Sequence, residues 1–167
     1  MVSIDASSIS ARRQPCGVRE QVGIALAAVD SEPIPVLGDD VTVLVNPEHL
    51  QHMLVNLLSN AAKYGGGATA VRIARAAGRV HVRVEDSGPG VPDEFRPRLF
   101  QRLARADRDA SSVKGTGLGL YIVRSLAQAN HGDVHHEPNP AGGSVFVIDL
   151  EAASPEVDHG QHAGQTA

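Results

Sequence analysis

Two stretches of strict alternation, Ala70 to Arg75 and Arg79 to Glu85, meet at Gly78. Val and Ile occupy every second position in both, the pattern of strands with one buried face, and the glycine between them reads as a hairpin turn. Strands joined this closely run antiparallel, because a parallel pair needs a crossover of roughly a dozen residues or more. A doubly wound parallel sheet is therefore excluded.

Helical patterns flank the hairpin. Val18, Val22, Leu26 and Val29 recur at three- and four-residue spacing, which predicts a helix over about Gly17–Val29 that Pro33 and Pro35 bring to an end. Val41 to Val45 reads as a strand. Asn46-Pro47 supplies an N-cap followed by proline at the first helical position, and a helix is expected from there to Lys63. Leu50, Leu54, Leu57, Leu58 and Ala61 would form its buried side, and Gly65–Gly67 offers a left-handed residue to end it. Residues 91–114 are charged and irregular, with a short helical stretch expected near Pro97–Arg105. Leu118–Ala129 reads as a helix ended by Asn130-His131-Gly132, and Val134–Glu137 and Ser144–Leu150 as the last strands. This order predicts an α+β fold with a mixed sheet and helices on one face. A single domain is expected over 15–152, between a loosely ordered segment 1–14 and a disordered tail 153–167.

Composition narrows the partners. A formal charge of −4 carries no basic excess, so nucleic acid is not expected. Cys16 is the only cysteine, which excludes a disulfide framework or a cysteine zinc site. No apolar run approaches the roughly 20 residues that cross a bilayer, and Met1–Arg13 lacks the apolar core of a signal peptide. A cytoplasmic setting is expected, with no membrane insertion by this segment.

The residues able to do chemistry fall on three segments. Asn56 and Asn60 lie four apart on the long helix, with Lys63 and Tyr64 one turn further on, so the four share a face opposite the leucines. Amide oxygens suit Mg²⁺, which keeps few protein ligands beside phosphate oxygens and water. Lysine meets phosphate as a point charge, and tyrosine offers a flat surface to a purine. The same face would serve equally as a solvated surface. Asp86-Ser87-Gly88-Pro89-Gly90 follows the second alternating strand. A carboxylate there can accept from an exocyclic amine such as adenine N6, and glycines let the backbone approach a base; these are also ordinary turn formers. Gly115-Thr116-Gly117-Leu118-Gly119-Leu120 opens the next helix, where backbone N–H groups favour an anion. A Walker loop is ruled out because Lys114 precedes the glycines. A dinucleotide fingerprint is ruled out because Leu103–Lys114 is not strand-like.

In chain order, Asn56–Tyr64 (NLLSNAAKY), Asp86–Gly90 (DSGPG), Leu99–Asp107 (LFQRLARAD) and Gly115–Leu120 (GTGLGL) closely resemble the N, G1, F and G2 boxes of histidine-kinase catalytic domains. These belong to the superfamily of gyrase, Hsp90, histidine-kinase and MutL (GHKL) ATPases. The resemblance covers roughly residues 15–150 and implies a Bergerat-type fold, a two-layer α/β sandwich that binds ATP and Mg²⁺. By position it implies that Asn60 coordinates the metal, with Asn56 beside metal and phosphates. Lys63 would contact phosphate, Tyr64 would pack on adenine, and Asp86 would accept from N6 in a pocket shaped by Gly88 and Gly90. Residues 91–114 resemble the ATP lid, with Gly115, Thr116, Gly117, Leu118 and Gly119 at its hinge and phosphate contacts. Arg102 and Arg105 are candidates for phosphate or partner contacts, or for plain solvent exposure. Three positions depart from the pattern: Leu103 replaces a second Phe, Asn46 stands where Asp is usual, and Asn130-His131-Gly132 replaces His-Gly-Gly, so that a left-handed His131 is expected.

Hydrolytic members of the superfamily carry a glutamate base where this chain has Asn56, so slow hydrolysis and phosphoryl transfer to histidine are the implied chemistry. None of His49, His52, His81, His131, His135, His136, His159 and His162 stands in the acceptor context of the family. His135 and His136 are strand neighbours and would point to opposite faces, which argues against a shared metal. A dimerisation and phosphoacceptor domain, in the same protein or a split partner, is therefore the expected partner, with a response regulator downstream. A serine kinase of the anti-sigma-factor type, or a non-catalytic ATP-binding module, would share the fold. The first of these usually has a shorter lid and no Lys-Tyr after the second asparagine.

Overall fold

The computed structural model describes residues 12–104 and 117–154. In chain order the elements are β1 (Gln14–Gly17), α1 (Val18–Ala28), β2 (Val36–Gly38), β3 (Thr42–Val45), α2 (Pro47–Tyr64), β4 (Ala68–Ala76), β5 (Arg79–Asp86), a single 3-10 turn (Arg96–Arg98), α3 (Gly119–Ala129), β6 (Asp133–Pro138) and β7 (Ser144–Glu151). The alternating segments are the antiparallel pair β4–β5, with Val71 opposite Val84 and Ile73 opposite Val82. They lie inside a five-stranded sheet of order β2-β4-β5-β7-β6, in which only β2–β4 is parallel. A mixed sheet backed by helices is the expected α+β sandwich.

Alternation assigns the two faces. Val80, Val82 and Val84 of β5, with Phe146, Ile148 and Leu150 of β7, point to the helical layer. There they meet Leu50, Met53, Leu54 and Leu57 of α2, all essentially inaccessible, as well as Val22 of α1 and Val123 of α3. The α2 stripe works because its polar residues occupy the other side and its start is capped. Asn46 Oδ1 accepts the Glu48 N–H at 2.9 Å, and Pro47 needs no hydrogen bond at N1. Beyond the C-cap Gly65, the left-handed residue is Gly66 (φ 70°).

The opposite face of the sheet is ionic. Arg72 pairs with Glu85 at 2.7 Å, Arg79 with Asp149 at 2.8 Å and Arg83 with Glu137 at 2.5 Å. Val145 and Val147 lie on this face, opposite Glu85 and Arg83, and are nonetheless buried. Long charged side chains such as those paired around them can cover apolar neighbours with their aliphatic stems while the charged ends stay in water.

Three features differ from the sequence reading. β1 pairs antiparallel with β3 as a small second sheet, with Cys16 opposite Val43. β2 is a strand because it pairs parallel with β4, Val36 opposite Val71, and the Arg19 guanidinium of α1 also donates to the Val36 and Gly38 carbonyls at 2.9 and 2.7 Å. The helical stretch expected near Pro97–Arg105 is only the 3-10 turn Arg96–Arg98. It carries no continuous apolar stripe to sustain a longer helix, and Leu103 adopts φ 60°. At the amino end, Gln14 opens β1 and Arg13 pairs with Glu151 at 2.7 Å. Residues 1–11 and 155–167 lie outside the described residues.

Candidate functional site

Asp86 ends β5, the middle strand of the sheet, and is 5% exposed despite its charge. Burying a carboxylate is tolerable only with donors, and two backbone amides serve Oδ1: Gly88 N–H at 3.1 Å and Ser144 N–H at 3.0 Å. The Asn139 side chain donates to the Asp86 carbonyl at 3.1 Å. Among the described residues nothing bonds to Oδ2. One carboxylate oxygen is thus fixed by the fold, and the other is left to accept.

The end of α2 sits directly on this turn. A Cβ at Gly65 would stand 2.5 Å from Asp86 Cγ, and one at Gly88 would stand 2.5 Å from Gly65 Cα. Only two residues without side chains can pass this closely. Tyr64, the last residue of α2, is half exposed beside the contact, and Lys63 is exposed one residue earlier. Gly90 closes the turn in the left-handed region (φ 76°).

One turn back along α2, Asn60 and Asn56 are partly exposed, and among the described residues neither amide has a hydrogen-bond partner. Asn56 faces the start of α3: its Oδ1 is 3.5 Å from where a Cβ of Gly119 would lie. Leu118 precedes α3 and provides no side-chain cap, so among the described residues the first N–H groups of that helix are unclaimed. Just before it, the Gly117 carbonyl accepts the Leu103 N–H at 3.0 Å, so the described end of the 91–104 segment meets the glycine-rich turn. Arg102 is exposed on that segment; Arg105, Gly115 and Thr116 lie outside the described residues.

The structure therefore brings Asn56, Asn60, Lys63, Tyr64, Asp86, Gly88, Gly90, Gly117, Leu118 and Gly119 around one region between α2, α3 and the end of β5. A carboxylate acceptor, amide oxygens, an ammonium and unclaimed helix-start N–H groups together suit a ligand with an amine-bearing base at one end and anionic oxygens at the other. Sequence reasoning passed over Asn139, Gly143 and Ser144, taking 138–143 only as a turn. A Cβ at Gly143 would lie 2.2 Å from the Asp86 carbonyl, and the Gly142-Gly143-Ser144 run was the available signal.

The histidines divide as the strand pattern requires. His135 points to the ionic face, with Nε2 3.0 Å from Glu137 Oε1, and His136 points inward against Phe146. His131 is left-handed, φ 61°, as expected from its place after α3. Among the described residues no group of three or more His, Cys, Asp or Glu is placed to hold a metal, and no helix is long and apolar enough to cross a membrane.

Residues 45–154 match the family described as "Histidine kinase-, DNA gyrase B-, and HSP90-like ATPase". The signal transduction histidine-protein kinase AfsQ2 of Streptomyces coelicolor is 37% identical over 68% of this chain, which covers 22% of that protein. The sensor histidine kinase component HK1 of Mycobacterium tuberculosis is 38% identical over 70% of this chain and 68% of its own length. Among solved structures, the mycobacterial sensor histidine kinase MprB superposes with a TM-score of 0.73 at 26% identity, covering 86% of this chain and 99% of the other. The ATP binding domain of PrrB from Mycobacterium tuberculosis gives 0.65 at 27% identity, covering 85% and 98%.

Proposed function

Since the chain belongs to the family of histidine kinase-, DNA gyrase B- and HSP90-like ATPases, we propose that it is the ATP-binding catalytic domain of a two-component sensor histidine kinase. In this reading it passes the γ-phosphoryl of Mg·ATP to a histidine on a dimerisation and phosphoacceptor domain, with a response regulator downstream, on the cytoplasmic side of any membrane. The carrying observation is the buried Asp86 carboxylate, with one oxygen fixed and one free, set against the end of a helix that bears Asn56, Asn60, Lys63 and Tyr64.

Each residue has a chemical task here. Asp86 accepts from the adenine amine through Oδ2 and disfavours guanine, which presents an acceptor at the same place. Gly88 and Gly90 keep side chains out of the base plane, and Tyr64 flanks it. Lys63 meets phosphate, as do the N–H groups at Gly115, Thr116, Gly117, Leu118 and Gly119. Arg102 and Arg105 stand at the lid for phosphate or partner. Asn60 holds Mg²⁺ with Asn56 next to it; their amide oxygens are hard donors with no competing partner among the described residues, so the donor set fits that ion. Bound Mg²⁺ supplies charge neutralisation at the phosphates. Phosphoryl transfer asks the protein mainly for alignment and charge stabilisation. Asn56, a neutral amide, orients oxygens and takes no proton from water, so the site favours an incoming imidazole, nucleophilic when neutral, over hydrolysis.

The test is incubation of the chain with labelled ATP, Mg²⁺ and a purified phosphoacceptor domain of a histidine kinase. The expected product is acid-labile and base-stable, as a phosphoramidate is. A base-labile phosphoserine product would make the chain a serine kinase, and fast partner-independent ATP hydrolysis would contradict the role of Asn56.

A further inference from the structure

His136 is a residue the proposed chemistry does not use, yet it reaches the same pocket. It lies on the inner face of β6, ring edge to Phe146 with centroids 5.2 Å apart, and its Nε2 is 3.0 Å from Ser144 Oγ. Ser144 is 3% exposed, and its backbone N–H is one of the two donors to Asp86 Oδ1. The other ring nitrogen, Nδ1, is buried without a partner.

That orphaned atom decides the tautomer. A proton on Nδ1 would bury an unsatisfied N–H, the costlier of the two possible deficits. The proton therefore sits on Nε2, and Nε2–H donates to Ser144 Oγ. Ser144 and Pro138 face each other as a non-hydrogen-bonded pair: the adjoining backbone bond runs from Asn139 N–H to the Gly143 carbonyl at 3.0 Å, and the Ser144 N–H turns to Asp86 instead. The side-chain bond from His136 adds a tie between the strands at this pair, where the backbone makes none.

We propose that His136 is a positioning residue of this pocket: through the Ser144 hydroxyl it fixes the strand end that holds the Asp86 carboxylate, and so sets the preference for adenine. The proposal rests on the reading of Asp86 as the adenine contact. Around the ring stand Arg96 from the 3-10 turn, Asp86 from β5, and Glu137 and His135 from β6 itself. Burial and Arg96 oppose a second proton more than Asp86 and Glu137 invite it, so the ring is neutral at neutral pH. Protonation would put an N–H⁺ at Nδ1 with nothing to receive it, displacing the ring and releasing Ser144.

Calorimetric titration of the chain with Mg·ATP and Mg·GTP at neutral pH tests this. His136→Leu and Ser144→Ala should each lower the ATP-to-GTP affinity ratio by about three- to tenfold, the worth of one hydrogen bond. The double variant should lower it no further, because both changes cut one chain of contacts. His136→Gln, which keeps an N–H of similar reach, should restore most of the ratio. It should also remove the fall in the wild-type ratio as the pH drops below about 6.5. An unchanged ratio in His136→Leu overturns the proposal; if that variant does not fold, an unchanged ratio in Ser144→Ala does so. Asp86→Asn is the reference. If it collapses the ratio while the His136 and Ser144 variants do not, only the role of His136 is lost. If it too leaves the ratio intact, the adenine reading falls and takes this proposal with it.

Discussion

Asn130, the C-cap of α3, accepts the backbone N–H of Asn46, the N-cap of α2, on its side-chain oxygen at 2.9 Å. Its amide nitrogen donates to the Leu126 carbonyl at 2.7 Å and to His49 Nδ1 at 3.0 Å. One fully buried side chain thereby joins the start of one helix to the end of the other and sets their spacing at the far end from the site. Asn130→Ala would leave a buried carbonyl and a helix-start N–H without partners. We expect a loss of about 1–3 kcal/mol, measured by urea denaturation, with the fold retained.

Acid should weaken the fold in two separate windows. His49 and His136 both lie below the ordinary imidazole value, burial being the larger cause in each. Glu48 pulls His49 part of the way back, while Arg96 adds to the effect at His136. The unfolded chain then binds more protons than the folded one, so stability is complete above about pH 6.5 and falls as the pH drops below it. Glu137 behaves differently: the Arg83 hydrogen bond holds its carboxyl below the usual range. Its contribution is full at neutral pH and is lost only on acidification through that lower value. Denaturation midpoints should decline as the pH falls below about 6.5. The decline should be shallower in His49→Asn, which keeps an acceptor for Asn130 and does not titrate.

Asp86→Asn should weaken Mg·ATP binding by about 1.5–3 kcal/mol, the range for a hydrogen bond to a charged group, and should narrow the gap to GTP. Isothermal titration of both nucleotides measures it. An affinity equal to wild type would remove Asp86 from the site.

Gly65→Ala tests the same region through space rather than charge. The new methyl would meet the Asp86 carboxylate at 2.5 Å, and Asp86 cannot retreat from its two amide donors without losing them. Overpacking of this kind costs about 1–3 kcal/mol. The thermal midpoint should fall, and nucleotide binding should fall with it, although the added methyl bears no chemistry of its own.

Asn60→Ala should abolish Mg²⁺-dependent tightening of ATP binding and stop transfer to an acceptor histidine. Nucleotide titrations with and without Mg²⁺ separate this from a general loss of affinity. Equal Mg²⁺ dependence in wild type and variant would assign the metal elsewhere.

What the sequence shows well is whatever repeats locally. The α2 stripe, its Asn46-Pro47 start and the valine alternation of β5 are all visible within a few residues, and each element is where its period places it. β2 is three residues long and has no period to show; it is a strand because it pairs with β4, more than thirty residues away in sequence, with Arg19 of α1 claiming the carbonyls of Val36 and Gly38. The site divides in the same way. Its boxes are contiguous strings and could be read directly. The support of Asp86 by Asn139 and Ser144 crosses more than fifty residues and leaves no local mark.

The strand order has a consequence for how the chain is made. β5 is the middle of the sheet, yet its partner on one side, β7, begins 58 residues after Asp86. During synthesis from the amino end, β4 and β5 can pair as soon as they emerge, and α2 can lie across them. The other edge of β5 must then wait, with unpaired amides beside Val80, Val82 and Val84, until Ser144–Glu151 leaves the ribosome. An open edge of this kind invites pairing with other chains. Arg79, His81, Arg83 and Glu85 alternate along that edge with the valines, so until β7 arrives the waiting strand carries its own charged deterrent to aggregation.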